Sequence, residues 1–369
     1  MDLFITLRIL GITVIATDLY HFSERLLRIP IYVEQRLPAF FAPPLSPKPT
    51  IMTSYDFIAL ATKPSAKLCY SFHPPVGTTK PVLVVFVNGL GLPQTSWEGV
   101  IARLHDRPPI TGLPAMMTYD RYGQGQTTDR DPADADAADP MHGHDCLAVI
   151  RDLRQLLLQI TSEKLGVSNI DDVQLVLVCN SIGGALTRLY AQEYTGTVSG
   201  LILLDSVLAN SDFVSIYPDP DSSDFDASTL PAGVTADAIR KARAYMQCVF
   251  HPINGSKEGL SRKNLIQLLP DSDGPQLQGP GGRGPWVTVV GHEFEAFEGE
   301  FERMGGASPL LTRVYMNPYW QRFNEGLAKI TEPERRKGPL QAPGSGHFVQ
   351  KDNPELVEDE LREILEKIL

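Results

Sequence analysis

Cysteine is scarce in this 369-residue sequence, with four residues (Cys69, Cys146, Cys179 and Cys248) and neither a C-x-x-C pair nor a Cys/His ligand spacing. That excludes a disulfide scaffold and a zinc framework. Basic charge is in deficit, 33 Lys and Arg against 44 Asp and Glu, for a formal net charge of -11. A surface of that sign does not bind a phosphate backbone, so no nucleic-acid partner is expected. The apolar stretch from Leu3 to Ala16 falls short of the roughly 20 residues that span a bilayer, and Arg8 interrupts it. The chain starts Met1-Asp2 without the basic region of a secretory leader. We therefore expect an intracellular protein, in solution or peripheral to a membrane. The stretch itself is expected to be a helical arm packed on the body or on a second copy of the chain, or else shallowly attached to a membrane.

What is present is enough apolar residue, 43% of the chain, to bury one large α/β core with an inserted subdomain. The most informative segment is VQLVLVCNSIGGALTRLYAQEY, Val173 to Tyr194. Its first six residues are too short for a typical helix and too uniformly apolar for a half-solvated strand. They predict a parallel strand buried on both faces. Helical spacing resumes after Cys179-Asn180-Ser181-Ile182-Gly183, which puts Ser181 at a strand-to-helix turn. Such a turn crowds the backbone, so the positions two before and two after the serine must be small, and here they are Cys179 and Gly183. The N-H of Ile182 then lies at a helix N-terminus, where a developing oxyanion is favoured. Ser181 is the candidate nucleophile.

This turn resembles the nucleophile elbow, usually G-x-S-x-G, of the α/β-hydrolase fold family, with Cys179 in place of the first glycine. The resemblance covers Pro81 to about Asp205 and Trp286 to the end of the chain. It implies a mostly parallel sheet flanked by helices; before it, SYDFIALAT and AKLCYSF alternate well enough to be the antiparallel opening strands of that sheet. In PVLVVFVNGLG the strand ends at Asn88-Gly89-Leu90-Gly91, where the family commonly has His-Gly. The Leu90 N-H is therefore expected as the second oxyanion donor beside that of Ile182. Asp120-Arg121-Tyr122-Gly123-Gln124-Gly125 resembles the family's D-x-x-G-x-G turn, and its two charged residues are expected to brace loops rather than to do chemistry.

A serine hydroxyl needs a base within hydrogen-bond reach. Of eight histidines, His347 alone stands in a Gly-x-Gly-His-Phe turn before a final helix, the place the family uses for its base. The third member should be a carboxylate that holds the imidazole. Glu293, just past the strand WVTVV, is preferred; Glu295 in the same turn and Asp205 at the end of VSGLILLDS are the alternatives. His292 has no such context and is read as structural.

The expected organisation is an apolar N-terminal arm and linker (1–49), a hydrolase core (50–206 and 286–369), and a cap inserted at 207–285. The insertion is rich in Pro, Asp, Ser and Gly, and its helix ADAIRKARAYMQCVF offers Met246 and Phe250 to a substrate pocket or, equally, to attachment of the cap. The expected activity is hydrolysis of an ester-like bond in a small organic substrate through a serine acyl-enzyme. The same groups would also suit thioester hydrolysis, carbon-carbon bond cleavage or acyl transfer, and a non-catalytic ligand-binding role is the remaining alternative. No metal or organic cofactor is implied, and DRDPADADAADP shows no calcium-loop register.

Overall fold

The computed structural model describes residues 54–369 except 79 and 110–111, together with the backbone of an N-terminal hairpin. That hairpin pairs Ile5–Ile9 antiparallel with Ile12–Ala16, where the sequence reading expected a helix. The reason is local: ITLRI and ITVIA are dominated by β-branched residues, which favour strands, and Gly11 separates them. The rest of the arm and the linker lie outside the described residues. Two compact units are present, Met1–Thr50 and Ile51–Leu369, and the second contains every candidate catalytic group.

Eight strands make its sheet: β1 (Asp56–Leu60), β2 (Lys63–His73), β3 (Val82–Val87), β4 (Ala115–Asp120), β5 (Gln174–Asn180), β6 (Val198–Leu204), β7 (Trp286–His292) and β8 (Arg336–Ala342). Their order is β8-β7-β6-β5-β3-β4-β2-β1. The β2 strand runs antiparallel to both its neighbours, and all other pairings are parallel. The sheet is thus mostly parallel, as the resemblance implies, with the antiparallel start that the alternation of the opening segments predicts. VLVVFV, AMMTYD and VSGLILL are buried at every position. A strand buried on both faces needs helices above and below. These are α1 (Glu98–Asp106), α2 (Cys146–Leu165), α3 (Ile182–Glu193), α4 (Ala236–Val249), α5 (Phe294–Arg303), α6 (Asn317–Leu327) and α7 (Pro354–Ile368). Alternate strand residues fall into two apolar clusters: Leu175 and Leu177 join one with α2 and α3, whereas Val176 and Val178 join the other with α1 and α7. Each fully buried Val or Leu contributes about 1.5–3 kcal/mol, so the centre of the sheet is the most firmly held part of the chain.

The insertion is built into this unit. Phe213, Ile239, Met246, Leu260 and Leu277 belong to the larger apolar cluster, and Leu260–Ser261 pairs in parallel with His144–Asp145. The α6 helix has no counterpart in the sequence reading. Its Pro318 resembles a helix breaker, yet the helical run is continuous from Pro309, and the proline follows directly on a π-helical turn, Thr312–Met316, the local irregularity that π-bulges introduce inside α-helices.

Candidate active site

Ser181 stands between β5 and α3 with φ +56° and ψ -123°, a conformation that costs a non-glycine residue on the order of 1–3 kcal/mol and is held only by its surroundings. Those surroundings are visible. The Ser181 N-H donates to Leu204 O (3.2 Å), and Ser181 O accepts from Gly184 N (2.9 Å) and Val207 N (3.0 Å). A Cβ on Gly183 would lie 2.5 Å from Val87 O, and one on Gly184 would collide with Ser206 Oγ. Cys179, in the other small position, is fully buried, with Sγ 3.3 Å from both Thr187 Oγ1 and Ile202 O. Burial pushes its thiol up to about 12, so it remains protonated.

The loop after β3 lies against this turn. A Cβ on Gly89 would sit 3.1 Å from Asn180 Oδ1 and 3.3 Å from Ser181 Cβ, so any side chain there would press on the elbow. Asn88 turns its side chain to other partners: its amide donates to Tyr119 O (2.8 Å), and its Oδ1 accepts from the Trp97 indole (2.7 Å). Arg121 donates to Asn88 O (2.8 Å) and Gly89 O (2.9 Å), and Gln124 also donates to Gly89 O (2.9 Å). Asp120 accepts from the backbone of Gln94 (2.7 Å) and Gln126 (2.8 Å). Bracing by Asp120 and Arg121 was expected. The partner of Arg121 was not: Glu258 of the insertion pairs with its Nε at 2.9 Å. Ile182 is the first residue of α3, where a backbone N-H has no acceptor within the helix.

His347 Nδ1 lies 2.6 Å from Asp205 Oδ2. The carboxylate on the candidate base is therefore Asp205, not Glu293, which the sequence register favoured. Glu293 precedes α5 and turns its side chain to the Gly344 N-H (3.0 Å), while Glu295 is exposed in the first helical turn. Asp205, with φ +40°, ends the strand beside β5 and is fully buried. Its other oxygen, Oδ1, faces His292 Nδ1 at 2.8 Å and the His292 N-H at 3.2 Å. His292 is thus structural, but it is directly attached to the acid. Its Nε2 faces Asn317 Oδ1 (3.2 Å), and its ring stacks on Phe297 with centroids 4.0 Å apart.

Backbone contacts hold the histidine loop. His347 N donates to Glu300 Oε2 (2.6 Å), Gly346 N donates to Asp352 Oδ2 (3.1 Å), and His347 O accepts from the Asn180 amide (2.9 Å). The last bond ties the base to the residue preceding Ser181. Trp320, from α6, lies 5.7 Å from the imidazole and donates to Ser206 O (3.0 Å). Among the described residues, neither Ser181 Oγ nor His347 Nε2 has a hydrogen-bond partner. Such bonds are often long or misaligned without substrate. Burial alone would lower the His347 pKa, but the hydrogen bond and charge of Asp205, helped by Glu300 and Asp352, hold it above the ordinary histidine value. Burial would raise Asp205, yet His292 and then His347 pull it down to about 2.

Met246 is fully buried in the larger apolar cluster. Phe250 is half-buried, with ring centroids 5.8–6.0 Å from those of Phe213, Tyr245 and Phe301. These contacts attach α4 to the body. Away from this site, Asp131, Asp134 and His144 bring ligand atoms within 4.8 Å of one another. Their charge is already balanced by protein cations, with Lys63 Nζ 2.6 Å from Asp131 and Arg130 Nη2 3.3 Å from Asp134.

The model of the alpha/beta hydrolase family matches residues 84–360. Similar solved structures include an epoxide hydrolase mutant from Vigna radiata (13% identity, 85% of this chain and 99% of that one, TM-score 0.49). Another is a malate-bound thermophilic esterase from Thermogutta terrifontis (19%, 85% and 99%, 0.46). A third is a carboxylesterase structure from the thaumarchaeon Nitrososphaera gargenis (17%, 85% and 98%, 0.46). No curated protein sequence matches the chain. Among the described residues, no helix is long and apolar enough to cross a membrane.

Proposed function

Because the chain belongs to the alpha/beta hydrolase family, we propose that it hydrolyses ester bonds of small organic substrates through Ser181, His347 and Asp205. The observation that carries this reading is the 2.6 Å pairing of Asp205 with His347, in a loop that Asn180 fastens to the strained turn at Ser181. Neutral His347 takes the proton from Ser181 Oγ as that oxygen attacks the ester carbonyl carbon. The carbonyl oxygen gains negative charge and accepts from the N-H groups of Ile182 and Leu90. Asp205 stabilises the imidazolium and fixes the tautomer that presents Nε2 to the serine. Imidazolium then protonates the departing alcohol, leaving an acyl group on Ser181. Water, deprotonated by His347, attacks that acyl carbon and releases the carboxylic acid, restoring the serine.

The insertion supplies selectivity in this reading, with Phe250 the more accessible of the two expected lining residues and Met246 supporting it from the core. A fluorophosphonate probe followed by peptide mapping tests the nucleophile without knowledge of the natural substrate. Label on Ser181 in the wild type, absent in Ser181→Ala and strongly slowed in His347→Ala, is the expected result. Wild-type protein that neither labels nor turns over p-nitrophenyl acetate would refute it.

A further inference from the structure

We propose that Arg121, Gln124 and Glu258 are positioning residues that set the oxyanion hole by locking the Gly89–Leu90 peptide, and that the insertion thereby completes the active site. The proposal rests on the assignment of the Leu90 N-H to the oxyanion.

A peptide unit is planar and trans, so the Gly89 carbonyl and the Leu90 N-H, which share one unit, point in opposite directions. Fixing the carbonyl fixes the donor. The Gly89 oxygen accepts two hydrogen bonds, from Arg121 Nη2 and Gln124 Nε2, each 2.9 Å long. Arg121 also holds the preceding carbonyl, of Asn88, at 2.8 Å. Both carbonyls are therefore drawn toward Arg121, while the Cα of Gly89 faces Ser181 closely enough that a Cβ would lie 3.3 Å from the serine Cβ. With the carbonyl turned to the guanidinium, the N-H of Leu90 is directed the opposite way.

Arg121 is 4% exposed and Glu258 2%. A buried guanidinium needs a carboxylate, and Glu258 supplies one through both oxygens: Arg121 Nε to Oε2 at 2.9 Å and Arg121 Nη2 to Oε1 at 3.1 Å. Gln124 Nε2 also reaches Oε1 (3.1 Å), and the Gly91 N-H donates to the same oxygen. Glu258 thus occupies the N-H of Gly91 and aligns the two side chains that hold Gly89. Because Glu258 belongs to the insertion, an insertion lifted from the body would release the loop and leave the oxyanion without its second donor.

The test uses the full-length protein with p-nitrophenyl acetate and its thionoester analogue, whose C=S sulfur accepts hydrogen bonds poorly. In Arg121→Met and Glu258→Gln, kcat for the ester should fall about 10²-fold with KM nearly unchanged, the loss typical of one missing oxyanion donor. The thionoester rate should fall much less, so the ester-to-thionoester ratio drops about tenfold or more. Arg121→Lys keeps the cation but cannot bridge two carbonyls and a carboxylate, and it should not restore the ratio. Crystal structures of the variants should show the Gly89–Leu90 peptide turned. If Arg121→Met does not fold, Glu258→Gln, neutral and of the same size, carries the test. An unchanged peptide with an unchanged ratio overturns the inference. If the wild type fails to hydrolyse esters, the esterase reading falls, while the peptide orientation in the variants still decides whether these side chains lock the loop.

Discussion

Asp205 grips His347 through a 2.6 Å contact between Oδ2 and Nδ1, and its other oxygen is occupied by His292. The carboxylate is thus fixed on both sides, and rotation about its final bond would break one contact or the other. In the proposed mechanism that fixed direction matters as much as the charge.

Replacing the acid should expose this. Asp205→Asn should lower kcat by about 10⁴-fold, the scale of loss when an aspartate stops holding the reactive tautomer. Glu293→Gln, whose amide oxygen can still accept from the Gly344 N-H but without the charge, should cost tenfold or less, and Glu295→Gln nothing measurable. Steady-state kinetics on the three variants side by side check the order. A collapse confined to Glu293→Gln would reverse the assignment.

The base must be neutral to accept the serine proton, so kcat/KM should fall as the pH drops through the pKa of His347. That pKa is raised from 6.5, and the acid limb should therefore have its midpoint above 6.5. The stability contributed by the His347–Asp205 attraction has the matching sign for the histidine. It is fully present below the unfolded value near 6.5 and is lost as pH rises through the folded value. For Asp205, whose folded pKa is depressed from 3.8 to about 2, stability is present above 3.8 and is lost as pH falls through about 2. In Asp205→Asn, residual activity should show an acid limb moved to lower pH. A limb that stays in place would separate the raised pKa from Asp205.

Asn180 links the Ser181 turn to the His347 loop, donating to His347 O and Leu204 O. Asn180→Leu keeps the volume and removes both bonds. We expect folding to persist and kcat to fall about 10²-fold, the effect of displacing a catalytic group by about 1 Å. Circular dichroism and single-turnover acylation rates check the two halves of that statement.

Gly183→Ala would place a methyl 2.5 Å from Val87 O, a backbone atom that cannot swing aside. The β3 strand or the elbow must shift, at about 1–3 kcal/mol. Urea denaturation should show that loss, accompanied by slower Ser181 labelling. By contrast, Cys179→Gly should leave labelling intact, because the turn asks only for a small residue there.

Most of the architecture is legible in the residues. LVLV, VLVVFV and LILL are uniformly apolar because parallel strands are covered on both faces, and the change to helical spacing at Ser181 locates the turn. The acid is harder to read, because strand ends at β6 and β7 both carry a carboxylate. Only the geometry distinguishes Asp205, buried beside β5, from Glu293, which faces the Gly344 backbone. Glu258 leaves no local trace at all: it lies 137 residues from Arg121 in a segment without periodicity, and ion pairs of that separation have no sequence pattern. The N-terminal strands mislead for the opposite reason, since a short apolar run suits either a helix or a hairpin and β-branching has to decide.

The burial of the sulfurs has a practical consequence. Cys69, Cys146 and Cys179 are enclosed by the core, and Cys248 alone of the four is exposed, on the α4 helix of the insertion. The native protein therefore carries a single chemically addressable thiol, far from the elbow in sequence and on the segment whose seating matters most. A maleimide fluorophore attached there would report the motion of that segment by anisotropy, with no engineered cysteine and with the sulfur beside Ser181 untouched.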